Sequence, residues 1–426
     1  MAPQRRVVIT GLGFVTSIGN DRATVEASLR AQRHGIARMD FAGPDRPLGV
    51  KVAGTIKDFD TASPHWSKWT YPPGYRFLPN SLRSLAPHGL YALCATEQAI
   101  ADARLTPAQV SDEATALFSS SAGSAFMLHH FLSVMHDTPD MRGTPMGVVS
   151  SITGTLNFNL GTYFKIRGAN CGFVSACASS SHALGYACDE IRLGRFERVI
   201  VVGAEDLNTD ALIPFMSMKA LTESGDPDRA SRPFDRGHDG FVGSGGAAVL
   251  VLESAESAAA RQVTPYAEML GWAQSADGFN LAMPHPEGEG LVRALRRAFR
   301  TCDLTPADVS YVNAHATSTP QGDRAEALAL RTVFTEAGAQ PAVSSTKGLT
   351  GHPLSMSGAM EAGFCALALR EGFVPGNAHL EEPDEACAGL DLPRETRTVA
   401  PGIVVSNSSG FGGSNVVLVF APWPAA

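Results

Sequence analysis

A layered α/β protein built on a duplicated unit is what the sequence predicts, and two observations carry that prediction. Apolar runs rich in β-branched residues, such as Val199-Ile-Val-Val202, alternate with alanine- and leucine-rich segments of helical spacing, such as Ser179 to Leu193 and Ser357 to Arg370. Alternating strands and helices imply layers. The second observation is an internal echo. Leu105-Thr-Pro-Ala-Gln-Val-Ser111 returns nearly half the chain later as Leu304-Thr-Pro-Ala-Asp-Val-Ser310. Each copy follows a helix-like segment (Glu97 to Arg104; Leu291 to Asp303) and precedes a strand-like one (Ala114 to Phe118; Tyr311 to Asn313). The context repeats with the motif, so an α/β unit is duplicated.

In chain order, the first element is the strand-like run Val7-Val-Ile-Thr10, reached directly from two arginines with no apolar signal region and cleavage site. Ser63 to Pro79 mixes four prolines with Trp66, Trp69, Tyr71, Tyr75 and Phe77. That composition predicts an ordered irregular loop whose aromatic rings pack on the core or form a docking surface. Continuous apolar runs at Val199 to Val202, Ala247 to Leu252 and Ile403 to Val405 suit strands covered on both faces. Ser254 to Gln262, polar and alanine-rich, is the predicted connection between two halves, residues 1–255 and 256–426.

A chain of 426 residues with 44% apolar residues can bury a large core. The formal charge of -8 and the lack of a Lys/Arg-rich run argue against nucleic acid as the main partner. No apolar stretch is long enough for a membrane span. Seven cysteines without a CxxC pair fit a reducing, cytoplasmic setting.

Four segments carry the chemistry. Val174-Ser-Ala-Cys177-Ala-Ser-Ser-Ser-His-Ala-Leu-Gly185 places Cys177 where a strand gives way to a helix. A helix start favours thiolate and supplies amide donors, whereas the bland reading is a small buried cysteine. His315 in Asn313-Ala-His-Ala-Thr-Ser-Thr-Pro320 and His352 in Lys347-Gly-Leu-Thr-Gly-His-Pro353 follow strand-like segments, in loops of the kind that build α/β sites. Taken singly, each is also an ordinary surface histidine. Ser406-Asn-Ser-Ser-Gly-Phe-Gly-Gly-Ser-Asn415 sets Phe411 among glycines between two strands. This is either a gate or a plain hairpin turn. His129, His130 and His136 cluster, but without metal-ligand spacing, and no metal site is predicted.

Together the segments resemble the β-ketoacyl-acyl carrier protein synthases, condensing enzymes of fatty acid and polyketide synthesis with a thiolase-like, duplicated α-β-α-β-α layered fold. The resemblance runs from Ile9-Thr-Gly-Leu-Gly13 through Arg232-Pro-Phe-Asp-Arg-Gly-His-Asp-Gly-Phe-Val242 to Phe411-Gly-Gly-Ser-Asn415. It implies that Cys177 takes an acyl group from acyl carrier protein, the oxyanion being held by the backbone amides of Cys177 and Phe411. His315 and His352 then hold the malonyl thioester while carbon dioxide leaves. Lys347 and Glu361 match the supporting lysine and glutamate, Thr317 and Thr319 the hydroxyls that bind the pantetheine arm, Phe411 the gate, and Phe241 a lining of the malonyl site. No cofactor is implied. Lys68, Arg76 and Arg83 are candidates for carrier-protein contacts, and Ser119 to Met127 for the interface of a homodimer or of a heterodimer with a chain-length factor.

Several positions depart from the family pattern. Gly243-Ser-Gly-Gly lacks a glutamate common there, Ala316 replaces a glycine, and Pro353 with Ser355-Met-Ser357 replaces a run of smaller residues. These lean towards the type I bacterial branch and a specialised type II polyketide or polyene ketosynthase. A thiolase acting on coenzyme A esters and a non-catalytic chain-length factor are the competing readings.

Overall fold

The computed structural model describes residues 5–39 and 49–424. Its centre is a ten-stranded mixed sheet. In chain order the strands are β1 (Val7–Val15), β2 (Thr115–Ser120), β3 (Asn170–Phe173), β4 (Arg198–Glu205), β5 (Gly246–Ser254), β6 (Ala267–Ala276), β7 (Val309–Asn313), β8 (Ala342–Ser344), β9 (Ile403–Gly410) and β10 (Ser414–Pro422). Their spatial order is β8-β7-β9-β10-β6-β1-β5-β4-β2-β3. Read outward from the centre, the first five strands run 1-5-4-2-3 and the second five repeat that order as 6-10-9-7-8. The pairing repeats too. β2 is parallel to β3 and β4 while β5 is antiparallel to β4 and β1. Correspondingly, β7 is parallel to β8 and β9 while β10 is antiparallel to β9 and β6. The duplication predicted from a short echo is therefore a property of the sheet.

Five helices matter for the site: α1 (Pro87–Asp102), α2 (Ala125–His136), α3 (Ser179–Arg192), α4 (Glu289–Cys302) and α5 (Ser357–Glu371). Alternation along the strands explains the layers. Val199 and Val201 of β4 join the core around α3 and α5, whereas Ile200 and Val202 face the core around α1. In the second half Val404, Val416 and Leu418 face the central helices, and Val405, Val417 and Val419 face α4. Strands covered on both faces are apolar at every position, which accounts for the continuous runs. Each such side chain removed from water stabilises the fold by about 1.5–3 kcal/mol before entropy is counted. The outcome is α1, half-sheet, α3 with α5, half-sheet, α4.

The central pair approaches closely because the contact residues are small. A side chain at Gly358 would come within 2.6 Å of the Ser181 backbone nitrogen, and the Ala359 N–H donates to Ser180 Oγ at 2.9 Å. The echo marks one junction used twice. Arg104 and Asp303 both take left-handed conformations, with φ of 53° and 54°, ending α1 and α4. Thr106 and Thr305 then cap the following turns, and β2 and β7 begin. Helix α1 starts well before the predicted Glu97, because Pro87 suits a first helical turn and the apolar run behind it is buried. Ser254 to Gln262 contains a short helix, Ala255–Ala260, leading from β5 to β6.

The aromatic loop is ordered and packs inward: Trp69 is buried, and Trp66, Tyr71, Tyr75 and Phe77 lie partly buried against the α1 core. The packing alternative is the one found. Among the described residues no helix is long and apolar enough to cross a membrane.

Candidate active site

Cys177 sits on a sharp turn between β3 and α3. The residue before it, Ala176, has φ of +50°, a conformation costly for a side-chain-bearing residue and kept only where its surroundings enforce it. Those surroundings are visible. Ser179 Oγ accepts from the Ser175 N–H at 2.8 Å and donates to the Ala176 carbonyl at 2.5 Å, and Ser175 Oγ bonds His182 Nδ1 at 2.7 Å. The glycine loop closes over the turn. A side chain at Gly410 would lie 2.8 Å from the Ser175 carbonyl oxygen and 3.1 Å from the Cys177 backbone nitrogen, so a glycine is what lets β9 approach this far. Among the described residues, the N–H groups of Cys177 and Phe411 donate to no other group.

The structure brings both predicted histidines to this sulfur. Polar atoms of Cys177, His315 and His352 lie within 4.8 Å of one another. His352 Nε2 is 3.0 Å from Cys177 Sγ, and its ring meets those of His315 and Phe241 edge-on, each at 5.3 Å. The His352 backbone is pinned between Val242 O and the Ser244 N–H. Burial, reinforced by the Lys347 charge, holds both imidazoles well below the usual histidine range, so both are neutral. Burial also pushes the Cys177 thiol up to about 12 against the opposing pull of Lys347. The resting pair is a neutral thiol beside a neutral imidazole.

Lys347 and Glu361 form an ion pair with both side chains wholly buried. Burial raises Glu361 to about 7 despite Lys347 beside it. Sequence reading missed Glu326. Its two carboxyl oxygens accept the N–H groups of His315 and Ala316 at 2.8 and 2.7 Å, and Asn407 Nδ2 donates to it at 2.6 Å. The contact is to backbone, which leaves no pattern in the sequence beyond an acid ten to eleven residues downstream. Asp277, also missed, accepts from Asn415 at 2.8 Å and donates its own N–H to the Gly413 carbonyl, tying a neighbouring loop to the glycine hairpin.

Two cavities share Cys177 in their linings. One of about 360 Å³ is lined by Cys177, His315, His352, Phe241, Thr317 and Thr319, whose hydroxyls are 3.1 Å apart. The other, about 110 Å³, runs past Ala122, Val174, Ala176 and Leu354. Phe215 and Phe411 border both. Phe411 stands in the turn of the β9–β10 hairpin, and its ring, 39% exposed, packs 6.0 Å from Phe215 instead of turning inward. Phe215 in turn meets Phe241 at 5.4 Å, and nothing in its sequence context singled it out.

The remaining candidates lie elsewhere. Lys68, Arg76 and Arg83 are exposed and line neither cavity. His129 pairs with Asp210 and His130 packs against His65, so the histidine cluster on α2 does not converge. Ser119 to Met127 leaves β2, passes Ser121 and Ala122 on the smaller cavity, and enters α2, of which only Met127 is buried. Leu128, Leu132 and Val134 are exposed there.

The chain as a whole is similar to known proteins. Residues 4–258 match the family model "Beta-ketoacyl synthase, N-terminal domain", and residues 266–381 match "Beta-ketoacyl synthase, C-terminal domain". The chain is 38% identical to 3-oxoacyl-[acyl-carrier-protein] synthase 1 of Haemophilus influenzae, over 98% of both chains. It is 34% identical to 3-oxoacyl-[acyl-carrier-protein] synthase 2 of Staphylococcus aureus, over 100% of both. A crystal structure of a β-ketoacyl synthase from Burkholderia phymatum superimposes with a TM-score of 0.88 at 32% identity, covering 99% of this chain and 100% of that one. With both halves matched in order and the whole length aligned, the chain belongs to the β-ketoacyl synthase family.

Proposed function

We propose that this chain is a β-ketoacyl-acyl carrier protein synthase, joining an acyl group held on Cys177 to malonyl-acyl carrier protein with loss of carbon dioxide. The observation that carries the reading is the 3.0 Å contact between Cys177 Sγ and His352 Nε2, with His315 beside them and both imidazoles neutral. The thiol attacks the acyl thioester of the carrier, and the free N–H groups of Cys177 and Phe411 stabilise the oxyanion. The acyl chain enters the smaller, apolar cavity. Malonyl-pantetheine occupies the larger one, with Thr317 and Thr319 along its arm and Phe241 beside the malonyl group. Two neutral imidazoles then donate to the thioester oxygen as carbon dioxide departs, without protonating the enolate. The carbon-carbon bond takes its electrons from that decarboxylation, so the step calls for no metal or redox cofactor.

Cys177 is the only cysteine lining either cavity among the described residues, which disfavours the thiolase reading, since that mechanism pairs two cysteines. The thiol and both histidines disfavour a non-catalytic chain-length factor. Named relatives include 3-oxoacyl-acyl carrier protein synthases and, at 28% identity, the ishigamide ketosynthase/chain length factor. The condensation common to both groups is what the site supports, in the cytoplasm, with residues 1–255 supplying the thiol and 256–426 the histidines. A second ketosynthase-like chain would cover the exposed apolar side of α2, and Lys68, Arg76 and Arg83 would meet the acidic carrier. Incubation with acyl-carrier proteins of increasing chain length, read by intact mass and followed by malonyl-carrier protein, tests the reading. An acyl adduct that persists in Cys177→Ala would refute it.

A further inference from the structure

His352 has one hydrogen-bond partner at each ring nitrogen among the described residues: Cys177 Sγ on Nε2, and the Ser357 hydroxyl on Nδ1 at 3.1 Å. Ser357 is the first residue of α5, is wholly buried, and belongs to the Ser355-Met-Ser357 stretch that departs from the family pattern. A backbone N–H at this position would only donate and would hold His352 as the Nε2–H tautomer. A carbonyl would only accept and would hold the other. A hydroxyl does both.

We propose that Ser357 is a positioning residue that supports both tautomers of His352, one in each half of the reaction. The assignment rests on the condensation described above. In acyl loading, Nε2 takes the proton of the Cys177 thiol while Nδ1–H donates to Ser357 Oγ. The sulfur bonds to the acyl carbon, the carrier's carbon-sulfur bond breaks, and the proton passes from Nε2 to the departing pantetheine sulfur. In condensation, Nε2–H donates to the malonyl thioester oxygen and Nδ1 accepts the Ser357 O–H. The electron pair left by carbon dioxide forms the new carbon-carbon bond, and the expelled Cys177 thiolate takes a proton from water. Between the two halves the ring loses its Nδ1 proton to water and gains one from water on Nε2, and the hydroxyl rotates to follow, so neither state leaves a buried ring nitrogen unpaired. An orphaned buried N–H is tolerated less readily than an orphaned acceptor. The resting geometry, a neutral thiol against a neutral ring, corresponds to the loading state.

Ser357→Ala removes the partner without adding bulk. Its loading rate, followed as acyl adduct by intact mass, is expected to fall roughly tenfold, while decarboxylation by enzyme already loaded falls by less. Ser357→Thr keeps the hydroxyl and restores the wild-type ratio of the two rates. Nitrogen-15 chemical shifts of His352 provide a readout indifferent to turnover, with Nδ1–H in the resting wild type and Nε2–H in Ser357→Ala. Equal loss of both steps, or an unchanged tautomer, overturns the assignment and leaves the condensation standing. A wild-type chain that takes no acyl group overturns the condensation and this assignment with it.

Discussion

At the junction of β3 and α3 stands a thiol, Cys177; at the matching junction of the second half, between β8 and α5, stand Lys347 and His352. The strands before the two junctions hold equivalent places in the repeated order, and the helices after them are the central pair. The other pair of equivalent strand ends differs as much. β7 runs into His315 and the two threonines, whereas β2 runs into Ser121, Ala122 and the exposed helix α2. Duplication fixed where loops converge and left their chemistry free to diverge. The first half became nucleophile and a mostly apolar acyl cavity, with the buried Glu205 in its lining. The second placed buried Lys347, Glu361 and Glu326 around the histidines.

The sharpest test of that division removes each half's contribution separately. Cys177→Ala should lose covalent acylation completely, seen as no mass increase with acyl-carrier protein. His315→Ala should still load, because His315 makes no contact with the sulfur that the Cys177–His352 pair lacks, yet decarboxylation should fall roughly 10²- to 10⁴-fold for the loss of one donor to the developing charge. If both variants lost both steps equally, the halves would not divide the labour this way.

A smaller effect probes the buried ion pair whose lysine charge bears on both histidines. Lys347→Ala leaves Glu361 in a buried site without its partner and should cost about 3–5 kcal/mol of stability in denaturant titration. Replacing both, Lys347→Met with Glu361→Gln, removes the charges together and should fold far better. In that double variant the imidazoles lose a neighbouring cation that helps hold them neutral, so their pKa values rise. The acid limb of the decarboxylation profile should therefore move to higher pH, since protonated histidine appears earlier as pH falls. An unmoved limb would mean that burial alone keeps the histidines neutral.

Legibility in the sequence followed the range of the interaction. The strands at Val199 to Val202 and Ala247 to Leu252 were readable because a two-faced environment writes itself into every residue. The duplication was readable because one capped turn kept its sequence in both copies. That Cys177, His315 and His352 belong together was readable from resemblance, and the distances agree. Glu326 and Phe215 were not, since a carboxylate bound to backbone amides and a ring between two cavities have no local signature. Nor was the length of α1, where a buried apolar run lacks the amphipathic spacing that marks a helix.

The mildest comparison concerns the echo itself. Thr106 Oγ1 accepts the Gln109 N–H at 3.3 Å while the Gln109 side chain accepts the Thr106 N–H, a reciprocal cap. In the second copy the Asp308 carboxylate accepts both the Thr305 N–H and the Thr305 hydroxyl at 2.7 Å, so the turn is held chiefly through the carboxylate. Thr106→Ala should then cost about 1 kcal/mol in chemical denaturation, the usual value for a lost cap, and Thr305→Ala less. Neither should change acyl loading, because both turns precede the strands at the ends opposite the cavity loops. Equal costs would show that the two copies still do the same structural work and that their difference in hydrogen bonding carries no energy.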